Sequence, residues 1–162
     1  MSELADLLGY QLHFTNLVAL CDARAALAIH DVTPAKVTAM LFVRDNPGCD
    51  QSTLGRLLSI NRSSAMKLVN TLCARGLVRR LQGRDLRSNG LHLTEDGSAF
   101  LRQVIGVLRE ADMALSAGLS PAERAELLRL LGKVRASAGR EEHPVAGQDG
   151  SPTAICEQRK AS

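Results

Sequence analysis

Apolar residues recur along most of this chain at the three-and-four spacing of a helix, interrupted by short polar stretches. From Glu3 to about His30, Leu4, Leu7, Leu8 and Leu12 form one stripe. Phe14, Leu17, Val18 and Cys21 begin a second, rotated one. The segment predicts one long helix with contacts on two sides. Thr33-Pro34 supplies an N-cap and a first-position proline for a second helix, with Val37, Met40 and Leu41 inward and Asn46-Pro47-Gly48 as its end. Asp50 caps a short third helix carrying Leu54, Leu57 and Leu58. After a tight break at Ser59-Ile60-Asn61, Asn61 caps a fourth helix with Ala65, Leu68, Val69 and Leu72 inward. Gly76 is placed to stop it in a left-handed conformation.

The period then changes. Leu77–Leu81 and Leu91–Leu93 are strand-like runs around the polar, glycine-bounded and basic segment from Gln82 to Gly90, which predicts a β-hairpin with a long tip. Thr94 caps a fifth helix with Leu101, Val104, Ile105, Leu108, Ala111 and Leu115 as its stripe. Ser120-Pro121-Ala122-Glu123 is a capping box that opens a sixth, carrying Leu127, Leu130, Leu131 and Val134. From Gly139 the chain is rich in Gly, Pro, Ser and charge without a periodic apolar face, and is expected to be disordered. The expected fold class is mainly α with a small β-hairpin. Its divisions are 1–32, 33–93, 94–138 and a tail, 139–162.

Composition narrows the function classes. Aromatic residues are only 2% of the 162 residues (Tyr10, Phe14, Phe42 and Phe100), so the core is aliphatic and a base-stacking platform is disfavoured. No stretch approaches ~20 uninterrupted apolar residues, and Met1-Ser2-Glu3 lacks the start of a secretory signal. No membrane partner is therefore expected, and the location expected is cytoplasmic. The cysteines at 21, 49, 73 and 156 have no short paired spacing, which argues against a zinc site and a disulfide framework. No Gly-rich phosphate loop, His–carboxylate metal motif or nucleophile elbow is present. Neither an enzyme nor a cofactor is expected.

The net charge of +3 hides an uneven distribution. Between residues 48 and 92, Arg56, Arg62, Lys67, Arg75, Arg79, Arg80, Arg84 and Arg87 face only Asp50 and Asp85, a local net charge of +6 that leaves the remainder at −3. A basic helix pair followed by a basic hairpin is the electrostatic footprint of a double-stranded DNA partner. The outward side of the fourth helix carries Arg62, Ser63, Ser64, Met66, Lys67, Asn70 and Thr71. Arg62, Ser63, Ser64 and Lys67 are placed to meet base edges. Asn70 and Arg75 are expected on phosphate, as are the backbone amides near Ser52 and Thr53. In the hairpin tip Arg84 adds charge and Arg87 can enter a minor groove, oriented by Asp85. The alternatives are a solvated basic face and a surface Asp–Arg pair of little energetic weight.

The run Asp50–Ser64 and the run Leu68–Arg80 resemble the winged helix-turn-helix of MarR-type regulators. Arg84-Asp85-Leu86-Arg87-Ser88 and Leu93-Thr94-Glu95-Asp96-Gly97 are similar to the family's Asp-x-Arg and Leu-Thr-x-x-Gly patterns, and Leu7-Leu8-Gly9-Tyr10-Gln11-Leu12 to its first helix. The resemblance spans about residues 4 to 138. It implies a winged helix-turn-helix with N- and C-terminal dimerisation helices, a homodimer, a pseudo-palindromic operator and a repressor released by a small effector, commonly phenolic or aromatic. Ser59 stands where the family commonly has Gly, and Arg62-Ser63-Ser64 lacks the common proline after Arg; both leave the operator sequence open.

The resemblance also bears on sensing. Peroxide-sensing relatives carry an early Cys where this chain has His13. Cys21, on an apolar stripe, reads as a buried structural thiol. His13, on one face with Tyr10 and Leu17, is a candidate effector contact, and Arg44 a candidate partner for an anionic effector. A satisfied interfacial histidine and a helix C-terminal cap are the respective alternatives. The other readings left open are a cysteine-based redox-sensing repressor and a winged-helix protein–protein module without an operator.

Overall fold

The structure, a computed structural model, describes residues 3–82 and 89–137. A 3₁₀ turn at Glu3–Asp6 precedes α1 (Leu8–Leu27), and a second at Ala28–His30 leads to α2 (Pro34–Asp45). Then come α3 (Gln51–Leu57), α4 (Arg62–Ala74), β1 (Val78–Gln82), β2 (Asn89–Leu93), α5 (Glu95–Leu115) and α6 (Pro121–Ser137). The class is the expected one, mainly α with one antiparallel hairpin. The single helix expected from Glu3 to His30 is instead divided. Leu7 is extended (φ −86°, ψ 118°) ahead of α1, and the Gln11 side-chain amide donates to the Ala5 carbonyl at 2.6 Å, folding the first turn back along the helix. At the other end the 3₁₀ turn closes on Asp31, which is left-handed at φ 50°.

Side-chain caps start the next helices where the polar residues predict them. Thr33, Asp50, Asn61 and Thr94 accept from the backbone N–H groups of Lys36, Thr53, Ser64 and Gly97. At α6 the capping box closes in both directions: Ser120 N–H donates to Glu123 Oε2 at 2.8 Å, and Glu123 N–H to Ser120 Oγ at 3.3 Å.

The core is aliphatic and gathers the inward faces of several elements. Leu27, Val37, Met40, Val43, Leu54, Leu58, Val69, Leu72, Leu91, Leu101 and Val104 are fully buried. The hairpin pairs Val78 with Leu93 through to Gln82 with Asn89. Gly48 N–H also donates to the Leu91 carbonyl at 2.8 Å, and Leu91 N–H to the Cys49 carbonyl at 2.9 Å, so the loop after α2 pins the hairpin base. Thr94 explains the Leu-Thr-x-x-Gly pattern. Its hydroxyl accepts from Gly97 N–H at 2.8 Å and donates to the Gly76 carbonyl at 2.6 Å, tying the start of α5 to the turn after α4. A Cβ at Gly97 would overlap the Leu77 carbonyl.

Much apolar surface is left uncovered, and it is concentrated in the helices at the two ends. Leu4, Leu7, Leu8, Tyr10, Leu12, Phe14, Met113, Leu119, Leu127, Leu128, Leu130 and Val134 are all exposed, and no residue of α6 is buried. This surface makes Leu8–His30 long and apolar enough, by length and composition, to cross a membrane. An expectation based on uninterrupted apolar runs overlooks it, because Gln11, His13, Thr15, Asn16, Asp22 and Arg24 interrupt the run without removing its apolar character. Cys21 is buried, as its position on an apolar stripe predicts. Cys49 and Cys73 are free. Arg84, Asp85, Arg87 and the tail 139–162 lie outside the described residues.

Candidate nucleic-acid interface

Two short helices joined by a tight turn build the site. Ile60 N–H donates to the Gly55 carbonyl at 3.0 Å, and Ser59 N–H to the Arg56 carbonyl at 3.1 Å. Ser59 takes a left-handed conformation at φ 52°, which costs about 1–2 kcal/mol for a residue with a Cβ. Burial of Ala65, Val69 and Leu72 turns the opposite side of α4 outward. Arg62, Ser63, Ser64, Met66, Lys67 and Asn70 are exposed along that side, as the periodicity predicts.

The caps determine what these groups present. Asn61 Oδ1 accepts from Ser64 N–H at 2.8 Å and from the Ser63 hydroxyl at 2.7 Å, so Ser63 Oγ offers its lone pairs outward. At α3 the Asp50 carboxylate takes the Thr53 N–H at 2.7 Å, and the Thr53 hydroxyl donates to it at 3.2 Å. The backbone hydrogen bond from Thr53, with smaller help from the Ser52 amide and Arg56, holds Asp50 below the usual carboxylate range. Of the two amides expected on phosphate, that of Thr53 is thereby taken by an anionic side chain of this chain. The Ser52 side chain is exposed, while Thr53 is half-buried.

Arg75 is also corrected. Its guanidinium donates to the carbonyls of Asp31 and His30 and lies 5.2 Å from the centre of the Phe100 ring. It braces the end of α4 against the turn before α2 and against α5, and its donors are turned away from the outward row. Arg80, which was not singled out, donates through Nη2 to Asn70 Oδ1 at 2.7 Å and to Gln51 Oε1 at 3.4 Å. In the hairpin Arg80 shares a strand face with Val78 and stands opposite Leu91, both buried, which aims it at the helices; Leu77, Val78 and Leu81 put apolar residues on both strand faces, so the period alone does not choose between them.

The candidate effector contacts are not brought together around a charge. Arg44 forms a two-point pair with Asp45, its neighbour, Nε to Oδ1 at 2.8 Å and Nη2 to Oδ2 at 3.2 Å. In the free chain its guanidinium is thus held by its neighbour in an exposed pair, of the kind that carries little energy. Tyr10 and His13 both contact Phe14, with ring centroids 4.5 Å and 5.3 Å apart, and both are exposed. Leu17 is half-buried. A groove of about 320 Å³ lies between α1 and α5, lined by Asn16, Leu20, Asp22, Leu108, Asp112 and Leu115 among others; none of Tyr10, His13, Leu17 or Arg44 lines it. Burial, and then the nearby Asp50 charge, push the Cys49 thiol up, away from the reactive thiolate.

A capped helix-turn-helix with an outward basic row, buttressed by a hairpin and flanked by long apolar helices, defines a winged-helix DNA-binding protein. Comparison with known proteins narrows the class. Residues 30–88 match the MarR family model. A Thauera aromatica protein assigned as a transcriptional regulatory protein for the hcr operon is 34% identical over 131 residues, 80% of this chain and 79% of that protein. The transcriptional repressor CouR, solved bound to a 23-mer DNA duplex, superposes with a TM-score of 0.74 at 31% identity, over 83% of this chain and 96% of CouR. The MarR family protein Rv2887 of Mycobacterium tuberculosis, in complex with salicylic acid, superposes with a TM-score of 0.70 at 27% identity, over 80% and 98%. The chain belongs to the MarR family and is a DNA-binding transcriptional regulator.

Proposed function

We propose that this regulator is a homodimeric repressor that binds a pseudo-palindromic operator and releases it on binding a small effector. The exposed row Arg62, Ser63, Ser64, Lys67 and Asn70 on one face of α4 is the observation that carries this reading. Arg62, Ser63, Ser64 and Lys67 meet base edges in the major groove, while Ser52 and Asn70 meet the backbone. Arg87, oriented by Asp85, enters an adjacent minor groove, and Arg84 adds positive charge to the wing. Segment 33–93 reads DNA and segments 1–32 and 94–138 dimerise. The uncovered apolar side chains at both ends of the chain support the second assignment, because a surface of this kind calls for a partner. The same demand accounts for the apolar character of α1. A dimer sets two α4 helices about one DNA turn, ~34 Å, apart.

The effector reading is supported by relatives: CouR is a repressor seen on DNA, and Rv2887 is seen with salicylic acid. The raised Cys49 thiol favours a ligand over a thiol switch at that position. Selection of genomic fragments bound by the chain, followed by titrations at several salt concentrations, tests the proposal. A preferred duplex and a steep negative slope of log affinity against log salt are expected. Binding that is equal for all duplexes overturns it.

A further inference from the structure

We propose that Arg80 is a positioning residue for DNA reading, one that turns the side-chain amide of Asn70 into a hydrogen-bond donor toward the duplex. The inference rests on the proposed docking of α4 and deepens it. Arg80 Nη2 reaches Asn70 Oδ1 at 2.7 Å and Gln51 Oε1 at 3.4 Å, so one guanidinium joins β1, α4 and the first turn of α3. Arg80 approaches from the strand face it shares with buried Val78, opposite buried Leu91. Asn70 is exposed on the face of α4 that carries Arg62 and Lys67.

The consequence lies in the geometry of an amide. An asparagine reads adenine by accepting from N6–H through Oδ1 while donating to N7 through Nδ2, which requires both atoms to face the base. The oxygen of Asn70 is drawn sideways to a cationic donor, and the planar amide turns with it. What remains to face DNA is Nδ2–H, backed by the positive charge of Arg80. That combination suits an acceptor, either a phosphate oxygen or the O6/N7 edge of guanine, and works against the two-point adenine contact. Gln51 accepts a longer bond from the same Nη2 at 3.4 Å and so ties the first turn of α3 to α4.

A double-mutant cycle tests this on the best duplex recovered by selection with the wild-type chain, read by fluorescence anisotropy, with thermal unfolding run on every variant. R80A and N70A are each expected to weaken binding about tenfold, the scale of one charge-assisted hydrogen bond. The double variant R80A/N70A is expected to be no weaker than the poorer single one. R80K, whose ammonium can still donate to Oδ1, should recover part of the loss. A loss of the same size on every duplex assigns the acceptor to phosphate, and a loss confined to duplexes with guanine at one position assigns it to that base; both support the inference. Additive losses, near a hundredfold in the double variant, overturn it, because Arg80 then touches DNA on its own account. A neutral N70A overturns it too. A wild-type chain that prefers no duplex defeats the docking reading itself, a failure distinct from additivity.

Discussion

The guanidinium of Arg75 lies over the ring of Phe100, 5.2 Å from its centre, and joins the last turn of the reading helix to the long helix α5. The same guanidinium donates to two carbonyls in the turn before α2, 44 and 45 residues away in the chain. One side chain thus holds the reading lobe to the scaffold from two directions.

Removing it separates two roles that the residue type alone does not. Arg75→Ala loses a cation–π contact and two hydrogen bonds at a half-buried site, for an expected cost of about 1–2 kcal/mol. Urea denaturation reads that loss. The salt slope of DNA binding is expected to stay at its wild-type value, whereas loss of a phosphate contact lowers it by about one.

The turn between α3 and α4 carries a correctable strain. Ser59 sits at φ 52°, where glycine has no Cβ penalty. Ser59→Gly is expected to raise stability by about 0.5–1 kcal/mol, the gain being reduced by the greater freedom of glycine in the unfolded chain. An unchanged or lower denaturation midpoint would count against strain at this turn.

The Asp50 cap makes stability depend on pH in a definite direction. Its carboxyl titrates lower in the folded chain than in the unfolded one, chiefly through the Thr53 hydrogen bond. Its contribution is therefore present above the unfolded carboxylate range, near pH 4, and fades as pH falls through the lower folded value. Asp50→Ala is expected to cost about 1 kcal/mol at neutral pH, the scale of a lost N-cap. The difference from wild type should shrink below about pH 4. A difference that is constant with pH would remove the carboxylate from the cap.

The uncovered face of α6 is tested by charge. Leu127 is 46% exposed in the chain, so Leu127→Asp disturbs little within one copy. In a dimer it places a carboxylate in an apolar contact, and sedimentation is expected to show monomers with weakened operator binding. A variant that remains dimeric would move the interface elsewhere.

How much of this was legible in the sequence depended on the range of the interactions. The caps at Thr33, Asp50, Asn61, Thr94 and Ser120 were legible, because a cap joins residues about three apart. So was the outward row of α4, because Ala65, Val69 and Leu72 set its phase. The division at Leu7 was not, since the apolar stripe runs through it without a change of period. Nor did the stripes at the two ends of the chain show that Leu4, Leu8, Leu127 and Leu130 are left uncovered: periodicity reports an apolar face but not what covers it.

The arginines show the same boundary most plainly. By itself the sequence determined the order and phase of the elements and the concentration of positive charge between residues 48 and 92. It did so because periodicity, capping and composition are local. Only the tertiary structure decided which arginine faces outward. Arg62 stays on the exposed face, Arg75 turns inward to Phe100 and two distant carbonyls, and Arg80 reaches back to Asn70 and Gln51. A guanidinium is long and carries several donors, so its partner is set by which carbonyls and rings the fold brings within reach, and neighbours in sequence carry no record of that.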